Sequence, residues 1–576
     1  MKAKYLQSYL AIVLIEGCLA QIALLTMHFD PGRGHIINYA NLKLALVGIV
    51  SLVLAALLAL FITWFVAPKR TGHLLSSLDS QLAGSKKHLF LVQGALIVAT
   101  VILFECFLLT YLVFPIPTRP LFLWAGLASL QAWVVFRIAY AGVYREQPSL
   151  SAIIRSKWNG WLPEQRKVFT ILAVTGLVCF LVFIPFNLLR NRYGQFYLLG
   201  DEQVIYPDVV KVLAPQATFS ATVLNILGSW QWWYGYPYLP ISAGVLILPR
   251  LIFGAQFAEQ VQLNIFLMRQ FVSVLPMVLA LMLAVYLVTR YKSALKSLSM
   301  FVFLLLIPGV VKINYRFWHP DSIILLLILL TIFFLQKDDL RFGRYFYLAA
   351  VACGLTTAIK LWGLFFFLAI AGYLIAGFIR HKLPLKKLLL SGLLFILAML
   401  GTIIISSPSL LAPYVTRGAI ASWLDQQTKI LLGPDRIDPE GLYKTNLMNW
   451  LKYFGQHFMK AYFFFFAYFA LVAGSLWGSR KALNRILLAW CVPTTIFLAY
   501  FSAMKSLQYM LPVAIPLYCG AFLFPTITEN PTNSKWLAFL AKPLTRKIVW
   551  GVTLAFLASQ FIVNLVILVI FVHRGR

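Results

Sequence analysis

The chain has 576 residues, 61% hydrophobic and 12% charged, against roughly 45–50% and 25% in an ordinary soluble domain. That balance excludes a soluble enzyme and predicts an all-α polytopic membrane protein, because the length accommodates more than a dozen apolar helices of about 20 residues. The formal charge of +31, from 49 Lys and Arg against 18 Asp and Glu, would suggest nucleic acid in a soluble protein; here the basic residues cluster in short loops between apolar spans, the topology signal of helical membrane proteins, and no nucleic-acid partner is expected.

Reading for long apolar runs predicts about 13–15 transmembrane helices. They begin near residues 8, 44, 88, 121, 168, 270, 299, 321, 344, 361, 388, 460, 485, 507 and 547. The stretch 234–254 reads as a possible further span, and the pair around Lys360 as a possible single broken helix. The first run, Tyr9 to Thr26, follows Lys2 and Lys4 as a signal peptide would but has no small-x-small cleavage site, so it reads as a retained span. Residues 1–145 form an N-terminal extension of four helices, 146–525 a core, and 526–576 a C-terminal loop and last helix. Glu105 in the third span is either an intramembrane site or an acid satisfied by a partner. The six cysteines, Cys18, Cys106, Cys179, Cys353, Cys491 and Cys519, all lie in apolar runs with no CxxC spacing, so they read as small buried hydrophobes.

Placing the N-terminus in the cytoplasm puts the short basic clusters Lys69-Arg70, Arg166-Lys167, Arg380 to Lys387 and Arg480-Lys481 inside, as the positive-inside rule requires. The acids sort to the other face: Asp201, Glu202, Asp208, Asp321, Asp425, Asp435, Asp438 and Glu440. The N-glycosylation sequon Asn530-Pro531-Thr532 is blocked by proline and no other occurs, which favours a bacterial plasma membrane over a glycosylating lumen. Two outside segments, 190–269 and 407–459, exceed the roughly 12–15 residues beyond which loops are usually functional or disordered. Their Trp, Tyr and Pro content predicts structure, and any chemistry falls on the outer face.

The first of these carries most of the signal. Asp201-Glu202 are adjacent carboxylates at the mouth of a span, where an ionisable group serves a site or stays wetted. Behind them, the run from Ser229 through Tyr236 to Pro240 contains three tryptophans, three tyrosines and two prolines. Such density marks the membrane interface and predicts amphipathic helices along the outer surface, at the depth of a lipid head group. Downstream, Lys312 to Asp321 includes Arg316 and His319 and leads into a Leu/Ile-rich span. Lys360 interrupts Gly354-Leu-Thr-Thr-Ala-Ile-Lys-Leu-Trp-Gly363, and Lys505-Ser-Leu-Gln-Tyr-Met-Leu-Pro-Val-Ala-Ile-Pro516 lies late in the chain.

The order of these features resembles the GT-C superfamily of integral-membrane glycosyltransferases, especially its protein-mannosyltransferase and lipid A aminoarabinose transferase branches. The matching residues are Asp201-Glu202, Tyr236-Pro237 onward with Pro240, Phe253-Gly254, Arg269, Asp321 and Lys360. Gln508 stands where that family more commonly has an arginine before the Tyr. The resemblance covers about residues 165–525 and implies transfer of a sugar from a polyprenyl-phosphate donor to a glycan, lipid or protein acceptor.

An inverting transfer of that kind needs a base for the acceptor hydroxyl and a cation for the departing phosphate. Asp201 suits the base, and the family's catalytic acid matches it. Glu202 is expected to orient the acceptor or the sugar. For the phosphate, Arg269 and Arg316 rank ahead of Lys360, because a guanidinium grips phosphate oxygens in pairs; each of the three also reads as a snorkelling interface residue. His319 either bonds the phosphate or is structural. Asp321 either shares a divalent cation with Asp201 or pairs with a basic residue. In the second loop Trp423, Asp425, Gln426, Gln427 and the turn 433–438 are candidates to cover the acceptor, although the Gly-Pro-Asp composition is turn chemistry first. The competing class is a transporter or flippase of lipid-linked glycans, which would show intramembrane charge and internal repeats.

Overall fold

The computed structural model describes residues 2–26, 39–66, 86–110, 116–140, 160–188, 199–214, 216–227, 234–315, 317–381, 384–411, 445–503, 506–529 and 542–574, with single positions 421, 425, 428 and 540. The described residues contain helices and turns and no strand, as a chain in lipid requires unless it closes a barrel. Among the described residues, eleven helices are long and apolar enough to cross a membrane, or up to fourteen if each of three bent pairs is one span. The protein is an all-α polytopic membrane protein. The bent pairs are Tyr238–Val245 with Ile247–Glu259 (44°), Ala294–Leu305 with Pro308–Asn314 (65°), and Leu447–His457 with Ala461–Leu476 (100°). The 234–254 stretch is thus a kinked pair.

Contacts divide the chain into two units. The first comprises Met1–Gly160 with Gln216–Gly228 and Ser407–Gly418. Of its four long helices, Lys2–Thr26, Tyr39–Val66, Lys86–Leu109 and Arg119–Ala139, the first, second and fourth share a small core of Val13, Ala20, Val50 and Trp124, and the third packs against the fourth. Trp124 donates its indole hydrogen to the Val13 carbonyl at 3.0 Å. Glu16 inside the first helix is met by the Gln131 side chain, the kind of polar pairing that holds helices together where water is absent.

The second unit comprises Trp161–Pro215, Ser229–Ser406 and Ala419–Arg576. The C-terminal helix Pro543–Arg574 belongs to it: Phe556 stacks on Phe466 at 4.2 Å and Phe561 meets Phe303. The most buried spans are 261–289 and 507–528, both predominantly apolar, as helices largely enclosed by other helices must be. Their residues Met277, Leu281, Leu511, Ala514 and Tyr518 have no exposed surface. Peripheral helices instead leave Leu251, Ile379 and Leu389 bare, which suits contact with lipid.

The central helix Leu507–Leu523 contains Pro512 and Pro516. Pro516 has no N–H for the carbonyl four residues back, that of Pro512. The indole of the fully buried Trp490 supplies the missing donor at 2.9 Å. A freed backbone carbonyl at this depth is therefore satisfied by a side chain from the neighbouring helix.

Lys360 breaks its helix as its position between two apolar runs suggests. The helix Arg344–Ile359 stops, Lys360 is extended at φ −164° and ψ 131°, and a 3-10 turn Leu361–Phe366 leads into Phe367–His381. A Cβ on Gly363 would lie 2.3 Å from the Cys353 carbonyl oxygen, so only glycine lets the chain return so tightly.

Trp490→Phe is expected to lower stability by about 1–3 kcal/mol by leaving the Pro512 carbonyl unsatisfied, in addition to the packing loss. Adding Pro516→Ala supplies a backbone N–H, so the double variant should recover part of that loss in detergent unfolding measurements. Strictly additive losses would contradict the assignment.

Candidate active site

The helix Gly200–Leu213 carries both acids in its first turn, where a carboxylate is favoured by the helix dipole and the unpaired N–H groups. Their fates differ. Asp201 leaves 39% of its side chain exposed, while Glu202 is fully buried. Glu202 Oε2 accepts from the backbone N–H of Leu199 at 3.0 Å, its own helix start. Arg269 Nε donates to Oε1 at 2.8 Å and Nη2 to Oε2 at 2.5 Å, a two-pronged pair. The Trp318 N–H also donates to Oε1, at 2.9 Å.

Arg269 opens a π-helical segment, Arg269–Val274, is itself fully buried, and donates further to the Asn187 carbonyl at 3.3 Å. The sequence places Glu202 against the acceptor and Arg269 against phosphate; the structure corrects both. Each is sealed from solvent and engaged by the other, so neither meets a substrate in this conformation. They are positioning residues.

What they position is the segment 317–320. Besides the bond from Trp318 to Glu202, the indole of Trp318 donates to Ser242 at 3.2 Å, and its ring stacks on Tyr238. The His319 N–H donates to Ser273 Oγ at 3.1 Å, and that hydroxyl donates back to the His319 carbonyl at 3.3 Å. Asp321 then starts the helix Asp321–Asp338.

A continuous line of polar side chains results. The Tyr234 hydroxyl donates to Asp201 Oδ2 at 3.0 Å and touches His319 Nε2. His319 Nδ1 meets Asp321 Oδ2, and Lys360 Nζ donates to Asp321 Oδ1 at 3.1 Å. The Lys360 ammonium sits over the Tyr509 ring at 4.4 Å and near that of Tyr234 at 5.7 Å, where cation–π attraction supports it. The line runs from the exposed Asp201 to the fully buried Asp321, with 15% of the Lys360 side chain exposed.

Gly235 explains why Tyr234 reaches this place. Its N–H donates to the Ile359 carbonyl at 2.8 Å, and a Cβ there would lie 1.5 Å from the Ala358 carbonyl oxygen. Glycine thus docks the aromatic turn directly on the helix end that precedes Lys360. Tyr236, the residue singled out from sequence, lies in that turn with its carbonyl accepting from Leu239; the tyrosine in the line is Tyr234, two residues earlier.

Burial, together with the Asp201 charge, pushes Tyr234 ionisation well above the ordinary tyrosine range. Burial and the Lys360 charge push His319 protonation well below the ordinary histidine range. Burial lowers Lys360 to about 7, opposed by Asp201. The phenol is therefore protonated and the imidazole neutral at physiological pH.

Asp201, His319, Asp321 and Lys360 are brought together. A divalent site shared by Asp201 and Asp321 is not assembled: Asp321 engages Lys360 with one oxygen and His319 with the other, and among the described residues no three His, Cys, Asp or Glu side chains converge to hold a metal. Arg316, Trp423, Gln426, Gln427 and the turn 433–438 lie outside the described residues. No protein-family model matches the chain, and no curated protein matches it.

Arg269→Met strands the Glu202 carboxylate in a dry site and is expected to cost about 3–5 kcal/mol. Glu202→Gln with Arg269→Met should cost less than Arg269→Met alone, measured by unfolding in detergent, because no buried charge is left over. A double variant less stable than Arg269→Met would refute the pairing.

Proposed function

We propose that the protein is an inverting glycosyltransferase that moves a sugar from a polyprenyl-phosphate donor to a glycan, lipid or protein acceptor at the outer face of a bacterial plasma membrane, with the N-terminus cytoplasmic. The reading rests on one observation: an exposed carboxylate and a cation meet through a buried line of polar contacts drawn from segments around residues 201, 234, 319, 321 and 360. Its exposed end supplies a base, Asp201, to take the acceptor proton. Lys360 supplies positive charge for the phosphate oxygens as the glycosidic bond breaks, taking the place first given to Arg269.

The acceptor oxygen attacks the anomeric carbon from the side opposite the lipid phosphate, and the phosphate leaves with the bonding pair. No covalent sugar–enzyme intermediate is needed. The order of motifs, with its resemblance to GT-C enzymes, supports this reading, as does the aromatic composition of the segment around Tyr234, which is typical of the level of lipid head groups.

A transporter of lipid-linked glycans is the second reading. The buried His319–Asp321–Lys360 group favours it, because ionisable side chains at depth also serve ion and proton pathways.

The deciding experiment supplies purified protein with labelled sugar on a panel of polyprenyl phosphates. Transfer should occur and fall by about 10²–10⁴-fold in Asp201→Asn, the range for losing a general base. Translocation of the lipid-linked sugar with no transfer would establish the transporter instead.

Lys360 adds a pH prediction. An amine lowered to about 7 loses its charge as pH rises through that value, so kcat/KM should fall about tenfold per pH unit above it. Lys360→Arg stays charged and should flatten that basic limb. An unchanged limb in the arginine variant would remove Lys360 from phosphate binding.

A further inference from the structure

The side chains Asp201, Tyr234, His319 and Asp321 make three successive contacts: Asp201 Oδ2 with the Tyr234 hydroxyl, that hydroxyl with His319 Nε2, and His319 Nδ1 with Asp321 Oδ2. Each contact needs one hydrogen. With both carboxylates ionised they bring none; the phenol brings one and a neutral imidazole one. Two hydrogens therefore serve three contacts.

Their placement is constrained. The Asp321 carboxylate has nothing to donate, so the imidazole hydrogen belongs on Nδ1 and leaves Nε2 as an acceptor. The Tyr234 hydroxyl then faces two acceptors, Asp201 Oδ2 and His319 Nε2, with a single hydrogen. Among the described residues, the line is short by one hydrogen.

We infer that Tyr234 is a hydroxyl switch for Asp201: its hydrogen points to Asp201 while that group is ionised and turns to His319 Nε2 once Asp201 has taken a proton. This rests on the glycosyl-transfer reading. In the reaction the acceptor O–H bond breaks as its oxygen bonds to the anomeric carbon, and the proton passes to the Asp201 carboxylate. The bond from the anomeric carbon to the phosphate oxygen breaks, its electron pair leaving with the lipid phosphate. Turned toward Tyr234, the new Asp201 O–H donates to the phenol oxygen, the phenol donates to His319 Nε2, and His319 Nδ1–H remains on Asp321. Three hydrogens now serve three contacts, with the imidazole neutral throughout. After the product leaves, Asp201 returns its proton to water through its exposed side, and the tyrosine hydrogen swings back.

Among the described residues, the charged and titratable groups facing Asp201 are Tyr234, Tyr238, Tyr509, His319 and Lys360. Those facing His319 are Tyr234, Asp201, Asp321 and Lys360, with the Phe317 ring stacked on its face. Tyr234 is the hydroxyl placed on both acceptors. Tyr234 and His319 thus act through Asp201 and are positioning residues.

The test is the pH profile of kcat/KM for sugar transfer. Tyr234→Phe removes the donor that favours ionised Asp201, so the acidic limb should move up by about one pH unit. His319→Asn keeps an amide N–H for Asp321 but deletes the Nε2 acceptor. The tyrosine hydrogen is then committed to Asp201, the limb should move down by a similar amount, and the plateau rate should fall about tenfold because the base is weaker. Tyr234→Phe with His319→Asn should reproduce the limb of Tyr234→Phe alone, since without the hydroxyl His319 has nothing to compete for. Fluorotyrosine at 234, a stronger donor of nearly the same shape, should lower the limb and keeps the test open if His319→Asn does not fold. Shifts in one direction for both single variants, a double variant equal to their sum, or an unmoved limb with fluorotyrosine would overturn the switch while leaving transfer itself intact. Absence of transfer by the wild type from every donor would overturn the glycosyl-transfer reading and the switch with it.

Discussion

The site depends on a charge that never meets solvent. Glu202 is buried in a chain with few acids, and a buried carboxylate is tolerated only when its lone pairs are filled. Leu199, Arg269 and Trp318 fill them, and those three come from the start of the Asp201 helix, the π-helical turn and the segment before Asp321. Joining them in one place fixes Asp201 on one side of the cluster and His319 and Asp321 on the other. Ser273, a turn beyond Arg269, then locks the His319 backbone. The pair itself is sealed from solvent, and it holds three separate segments together around the line of side chains from Asp201 to Lys360.

Much of the fold was legible because lipid leaves few choices. Apolar runs of about 20 residues become spans, and a lysine between two short runs marked the break at 360. The bends were harder to read. The 100° turn between Leu447–His457 and Ala461–Leu476 depends on which faces find partners, and that is a tertiary property. Hydropathy likewise could not show that the last helix joins the second unit, because lipid-facing and helix-facing leucines have the same composition.

The site was legible by residue type more than by role. Asp201 and Glu202 are adjacent, so on a helix they point about 100° apart, and only the surrounding segments decide which one is sealed. Arg269 ranks with Arg316 ahead of Lys360 for phosphate because a guanidinium matches paired oxygens; the same geometry makes Arg269 a strong partner for a buried carboxylate. Tyr234 was one aromatic among several in its run. What selects it is the close approach of Gly235 to the Ala358 carbonyl, and a Gly between two tyrosines does not announce which neighbour it serves. Asp338 shows the same limit: it caps the turn with positive φ at Asp339, Leu340 and Phe342 by accepting from Phe342 and Gly343 at 2.8 Å, a structural use of an acid that composition alone would assign to chemistry.

On the proposed reading, Asp201 and Lys360 are the two ends of one substrate site. Cryo-electron microscopy of the protein with a non-transferable polyprenyl-phosphate sugar analogue tests this most directly. Phosphate density is expected within hydrogen-bonding distance of Lys360 Nζ, with the sugar ring beside Asp201. Density seated elsewhere, with Lys360 still bound only to Asp321 and nothing beside Asp201, would contradict it.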